Sequence, residues 1–255
     1  MKKHIPNIIT CMNLTCGTAA VILSLWGYLP AAFLFMLAAS CFDFCDGAAA
    51  RLLNAYSDKG KELDSLADMV SFGLLPAVML FTWYYKTNTD YPSVLAFVAL
   101  LIVPFSALRL AKFNIDSRQT TDFLGVSTPT VALLSGSLVC YGAICMKAGV
   151  SSAVVSILCT NWFIPVYAVI MSLLLVSEIP MFSMKHKELS FKKFPAETLF
   201  IVLTSPTIVA AFRVSQVNDF KAIIGLSVTF MFTLYLLLNF IRIPFLIQKK
   251  EAIGH

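Results

Sequence analysis

The chain has 255 residues, of which 58% are hydrophobic and only 13% charged, with a formal net charge of +5. Soluble domains carry charge on about a quarter of their residues, so this composition, with a mean hydropathy of +0.81, excludes an ordinary soluble fold. It points to an all-α integral membrane protein, a polytopic helical bundle.

The apolar tracts follow one another in chain order. No charged side chain lies between His4 and Asp43, and further uncharged tracts run 69–85, 91–108, 123–146, 148–177, 198–212 and 222–241. About 20 apolar residues suffice for one helix to cross the hydrocarbon layer. The tracts therefore predict about eight spanning helices, centred near residues 17, 40, 74, 101, 138, 163, 206 and 233. The seventh tract is short and carries Pro206. The first follows Lys2 and Lys3 without a small-residue cleavage site, which favours a membrane anchor over a signal peptide. With eight spans, 15 of the 19 Lys and Arg residues fall on the side that holds both termini. The positive-inside rule makes that side cytoplasmic, in a cell (plasma or inner) membrane.

The chain reads as a single membrane domain, with a core over 1–195 and two additional helices over 196–255. No convincing internal repeat is visible. The seven cysteines are an odd number, most of them inside predicted helices, and are expected to pack rather than to form a disulfide framework or a zinc set. No nucleic-acid partner is expected.

One short stretch, "DFCDGAAARLLNAYSDKGKELDSLAD" over 43–68, breaks the apolar pattern. Residues three or four apart share a helix face. Asp43, Asp46, Gly47 and Ala50 thus form one stripe at the cytoplasmic end of the second helix. Gly60, Asp64 and Asp68 form another at the start of the third. If the two helices are antiparallel neighbours, all four carboxylates converge. One carboxylate at mid-membrane costs roughly 3 kcal/mol on insertion scales, and mutual repulsion adds to it. Arg51 alone cannot neutralise four anions. Hard divalent cations can: Mg²⁺, with Mn²⁺ or Ca²⁺ as substitutes. Two such ions would form a clamp suited to displacement at phosphorus. Gly47 and Gly60 leave room for a ligand, and Arg51 offers a planar fork to phosphate. The three histidines, His4, His186 and His255, lie off both stripes. A cation transporter is the rival from another class, because intramembrane acids commonly mark ion paths.

Asp43, Asp46, Gly47, Ala50, Arg51, Gly60, Asp64 and Asp68 match the pattern D-x2-D-G-x2-A-R-x8-G-x3-D-x3-D without departure. In this the chain resembles the CDP-alcohol phosphatidyltransferases. The resemblance implies transfer of a phosphatidyl group from a CDP-linked lipid to an alcohol, with release of CMP. It implies two Mg²⁺ or Mn²⁺ ions held by Asp43, Asp46, Asp64 and Asp68, the last also acting as general base. Gly47, Ala50, Arg51 and Gly60 would shape the CDP pocket, and the family suggests a homodimer.

Four further segments narrow the acceptor: "NLTCG" (13–17), "ELDSLADMVSFGLLPA" (62–77), "LRLAKFNID" (108–116) and "VSEIPMFSMK" (176–185). Together they resemble the phosphatidylserine synthases, which implies CDP-diacylglycerol and L-serine as substrates and adds Asn13 to the CDP pocket. The stretch "FLGVSTP" departs at Ser127, where such proteins more often show a proline-containing variant. Arg109, Lys112 and Asn114 are the candidates to hold the serine carboxylate and orient its amine. Cationic partners would equally suit glycerol 3-phosphate or an inositol phosphate, so these three do not by themselves decide the acceptor.

Overall fold

Prolines punctuate the helix starts. Pro6, Pro30 and Pro129 each occupy one of the first two positions of a helix, where the missing N–H has no intrahelical partner to lose; Pro76 falls instead inside the continuous helical run Asp58–Thr87, just after its π turn. Serine caps three starts, one of them shared with Pro129: the side chains of Ser57, Ser127 and Ser152 accept from the backbone N–H of Gly60, Thr130 and Val155. Ser127, the departure from the related pattern, is therefore a helix cap.

The computed structural model describes residues 4–88, 93–115, 123–181, 211, 215, 217 and 219–253. In chain order the helices are α1 Ile5–Leu25, α2 Leu29–Leu52, α3 Asp58–Asp68, a π turn Met69–Leu74, α4 Leu75–Thr87, a 3-10 stretch Ser93–Leu101 running into α5 Ile102–Ile115, α6 Thr128–Lys147, α7 Ala153–Leu158, α8 Phe163–Val176 and α9 Phe220–Ile253. A two-residue antiparallel bridge joins Phe123–Leu124 to Pro180–Met181.

Among the described residues six helices are long and apolar enough to cross a membrane: Ile5–Leu25, Leu29–Leu52, Asp58–Thr87, Val94–Ile115, Thr128–Lys147 and Phe220–Ile241. The chain is a multi-pass membrane protein. These six match the expected centres near 17, 40, 74, 101, 138 and 233. The tract expected to span near 163 is divided instead. Its chain turns at Cys159–Trp162 between α7 and α8, and α8 has 14 residues, a length of about 21 Å at 1.5 Å per residue. The expected seventh span, near 206, lies outside the described residues.

Because lipid tails are as apolar as leucine, helices in a bilayer associate through close packing and hydrogen bonds rather than through hydrophobic burial. The bundle shows both. The α1–α2 pair is the most extensive helix contact, with Ala20 and Ala32 fully buried. A Cβ on Gly17 would overlap the side chain of Ser71, so only glycine lets α1 lie this close to the π turn. The Ser71 hydroxyl donates to the Asn13 carbonyl at 3.3 Å. Trp83 Nε1 donates to the Leu158 carbonyl at 3.0 Å, and Ser135 and Tyr167 share a hydrogen bond of 2.9 Å. Helices α4 and α6 form the centre, with Leu75, Met79, Leu80, Val139 and Cys140 buried. All seven cysteines are free thiols.

Candidate active site

The end of α2 sets the geometry. Asn54 has φ +48°, a left-handed conformation that asparagine tolerates better than most residues. The N–H groups of Asn54 and Ala55 donate to the carbonyls of Arg51 and Ala50 at 3.3 and 3.0 Å. This is the Schellman arrangement that closes a helix. Three residues later Ser57 caps α3, accepting from Gly60 N at 3.0 Å. The chain thus reverses quickly and returns the second acidic stripe to the first. Helix α3 packs against α1 more than against α2, so the carboxylates reach across a gap between α2 and α3.

Asp43, Asp64 and Asp68 each offer a carboxylate oxygen within 4.8 Å of the others'. One oxygen of Asp64 and one of Asp68 are buried without a hydrogen-bond partner. Unmet buried acceptors of this kind are rare and costly, and three clustered anions repel one another. A cation answers both problems, so the donor set fits a hard divalent ion held by these three residues.

Asp46 behaves differently. It is 6% exposed, and its Oδ2 accepts from Thr10 Oγ1 on α1 at 2.6 Å. It remains an electrostatic neighbour of Asp43, Asp64 and Asp68, but it stands outside the three-carboxylate group, facing an adjoining cavity. That cavity has a volume of about 590 Å³, and Asp46, Gly47, Ala50, Gly60 and Asp64 line it from α2 and α3, with Thr10 from α1. A Cβ on Gly47 would meet nothing within 4 Å, so the glycine opens onto free space; one on Gly60 would crowd Ser57 and Asn7. Tyr56 and Lys61 also line the cavity.

Arg51 and Asn13 are not among the lining residues. Arg51 is exposed in the last turn of α2. Asn13 is fully buried one turn deeper than Thr10, and both its side-chain polar atoms lack a partner. Thr10 escaped the sequence reading. The available signal was its place on the α1 face that also carries Asn13 and Gly17.

The three acceptor candidates separate. Arg109 is 8% exposed, donates from Nη1 to Thr128 Oγ1 at 3.2 Å, lies 5.4 Å from the centre of the Phe113 ring and is an electrostatic neighbour of Asp68. Lys112 instead forms an ion pair with Glu178 at 3.0 Å. The Asn114 side chain donates to Ser65 Oγ at 2.9 Å, and its carbonyl accepts from Lys61 Nζ at 2.9 Å. Positions 109, 112 and 114 are spread around α5, and of the three Arg109 is the one whose charge reaches Asp68.

Residues 3–174 match the model of the CDP-alcohol phosphatidyltransferase family. Similar curated proteins include CDP-diacylglycerol–serine O-phosphatidyltransferase of Bacillus subtilis, 39% identical over 127 residues that cover 50% of this chain and 70% of that protein. A protein of the same name from Mycobacterium leprae is 28% identical over 255 residues, covering 97% of this chain and 75% of its own. Archaetidylserine synthase of Methanothermobacter thermautotrophicus is 33% identical over 135 residues, 52% of this chain and 56% of that protein. The matched stretch holds the whole acidic motif, both cavity-lining glycines and Arg109, and on that ground the chain belongs to the CDP-alcohol phosphatidyltransferase family.

Proposed function

We propose that this enzyme is a phosphatidylserine synthase, moving the phosphatidyl group of CDP-diacylglycerol to the hydroxyl of L-serine and releasing CMP. The observation that carries the reading is the convergence of Asp43, Asp64 and Asp68 beside the cavity opened by Gly47. The names of the similar proteins supply the acceptor. In this reading the nucleotide occupies the cavity, and the acyl chains remain between helices in the bilayer. The site opens to the cytoplasm, on the side where basic residues collect.

A bound divalent pair, Mg²⁺ or Mn²⁺, would be held by Asp43, Asp46, Asp64 and Asp68 and would supply charge neutralisation at the pyrophosphate. The chain's own groups do the rest. Thr10 fixes the orientation of Asp46. Asp68 is the carboxylate that has Arg109 as a neighbour. A serine whose carboxylate rests on the Arg109 fork therefore brings its hydroxyl to the Asp68 side of the site. Asp68 takes the hydroxyl proton while the serine oxygen bonds to the phosphatidyl phosphorus. The bond from that phosphorus to the CMP oxygen breaks, and CMP leaves with its electron pair. Pairing of two copies belongs to the same proposal.

The test is product identification by mass. Purified protein with Mn²⁺ or Mg²⁺ receives CDP-diacylglycerol and an equimolar mixture of serine, glycerol 3-phosphate and inositol phosphate. Phosphatidylserine as the dominant product is the expected result. A phosphatidylglycerol phosphate or phosphatidylinositol phosphate product would overturn the choice of acceptor, and no CMP release from any mixture would overturn the reaction.

A further inference from the structure

A closed loop of hydrogen bonds ties α3 to the end of α5. The Asn114 side chain donates to Ser65 Oγ at 2.9 Å, Ser65 Oγ donates to the Lys61 carbonyl at 3.2 Å, and Lys61 Nζ donates to the Asn114 carbonyl at 2.9 Å. The two helical runs are antiparallel here: Asn114 meets Ser65, while Ser106 stands beside Gly73, where an added Cβ would lie 3.2 Å from the serine Cβ. Asn114 is the second-last residue of α5, and the final carbonyls of a helix have no intrahelical donor. They form the negative end of the helix dipole, which draws a cation.

Lys61 also lines the cavity of about 590 Å³ beside the carboxylates, and among the described residues lining it Lys61 is the one basic side chain. Arg51, the cation of the acidic motif, is not among them. Arg109 donates to Thr128, and Lys112 is paired with Glu178. Asp58 and Asp64 lie three residues to either side of Lys61 on α3, yet among the described residues no ion pair joins Lys61 to either. An ammonium has three donors, and here a neutral carbonyl takes one of them. The whole charge and two N–H groups remain for a ligand in the cavity.

We propose that Lys61 is the phosphate-binding cation of the cavity, aimed by the Asn114 carbonyl at the diphosphate of the nucleotide-linked lipid. The proposal rests on the reading that the nucleotide occupies the cavity. A phosphate oxygen accepts from an ammonium as from a point charge, in a charge-assisted bond roughly twice as strong as a neutral one. A carboxylate partner would cancel the charge of Lys61, whereas a carbonyl orients the ammonium and leaves its charge intact. Asn114, a candidate for the acceptor by sequence, becomes a positioning residue for the donor: its side chain holds α3 through Ser65, and its carbonyl directs Lys61. Position 61 is the first of the unspecified positions between Gly60 and Asp64 in the acidic pattern, so the motif itself gives no sign of this role.

The experiment measures binding of cytidine, CMP and CDP by calorimetry, using the full-length protein in neutral detergent with saturating Mg²⁺ and no added phospholipid. Wild-type affinity should rise from cytidine to CDP. Lys61→Gln is expected to weaken CDP binding about tenfold, the scale of one hydrogen bond to a charged group, and to leave cytidine within about twofold. Lys61→Arg keeps the charge and should bind CDP within about threefold of wild type. Equal losses for cytidine and CDP in Lys61→Gln would show a structural role and overturn the proposal. If the wild type prefers CDP and Lys61→Gln keeps the whole preference, the Lys61 proposal alone fails. If the wild type binds CDP no better than cytidine, the nucleotide reading of the cavity fails and takes the proposal with it. Asn114→Ala removes the bond to Ser65 but keeps the carbonyl; it should cost about threefold in CDP affinity, and an intact series would overturn the aiming by Asn114. The headgroups of surrounding lipid are the other source of phosphate. Activity of Lys61→Gln in micelles of rising phosphatidylglycerol content reads that source, and an altered response there with the nucleotide series intact would overturn the assignment to the donor.

Discussion

Thr10 Oγ1 donates to Asp46 Oδ2 at 2.6 Å, joining the first helix to the second across 36 positions of sequence. The bond occupies one carboxylate oxygen of Asp46 and aims the other. The same hydroxyl lies 3.0 Å from the Pro6 carbonyl, a carbonyl whose intrahelical partner would be the N–H of Thr10 itself. A single side chain thereby sets both the first turn of α1 and the direction of one acidic group.

Thr10→Val removes that donor at nearly constant volume. A hydrogen bond to a charged group contributes about 1.5–3 kcal/mol, so the divalent-ion concentration for half-maximal activity should rise by about tenfold or more. Thr10→Ser should restore most of the loss. Metal titrations of the two variants check this, and an unchanged metal requirement in Thr10→Val would remove Asp46 from the ion-binding set.

The clustered carboxylates of Asp43, Asp64 and Asp68 make the metal-free protein strained by repulsion. Saturating Mg²⁺ or Mn²⁺ should raise the Tm, because an ion at 100 times its Kd stabilises by about 2.7 kcal/mol. Asp43→Asn should do the opposite in two respects: a higher Tm without metal, and a smaller rise on adding it. Thermal unfolding in detergent, with and without chelator, reads both.

Asp68→Asn keeps the shape and hydrogen-bonding reach of the residue but cannot take a proton from a hydroxyl. Binding of CDP-diacylglycerol should change by less than about tenfold while turnover falls by about a hundredfold or more, the usual scale of a lost general base. Equilibrium binding and CMP release measured on one preparation separate the two effects.

Lys112 pairs with Glu178 in an ion pair whose side chains are 38% and 67% exposed. Exposed pairs are worth about 0–1 kcal/mol. Lys112→Met should therefore shift the serine KM by less than about threefold, whereas Arg109→Ala should shift it by about tenfold or more. Equal effects would mean that Lys112 also meets the acceptor.

Two glycines separate fold from pocket. Gly17→Ala places a methyl against Ser71 and should lower the Tm, since overpacking costs about 1–3 kcal/mol. Gly47→Ala meets no atom within 4 Å; it should leave the Tm within about 2 °C and raise the KM for CDP-diacylglycerol instead. Thermal unfolding and donor kinetics on both variants test the contrast.

Much was legible before any coordinates. Uncharged tracts locate six of the expected spans because one apolar run of sufficient length is a local property. The acidic stripes are local too: spacings of three and four place Asp43 with Asp46, and Asp64 with Asp68, on single faces whatever surrounds them. The tract over 148–177 misled, because an uncharged run carries no mark of the turn at Cys159–Trp162 that divides it.

Sequence by itself determined the membrane character of the chain, the two acidic faces and, through the motif, the chemistry to expect of them. Tertiary structure alone decided which carboxylates meet: Asp43 with Asp64 and Asp68, while Asp46 is held aside by Thr10. It also sent Arg109 to Thr128, Lys112 to Glu178 and Asn114 to Ser65. Helical spacing states which side chains share a face, but the neighbour that each face meets follows from how close the backbones can come. Here that distance is set by glycine contacts and buried hydroxyls contributed from far along the chain.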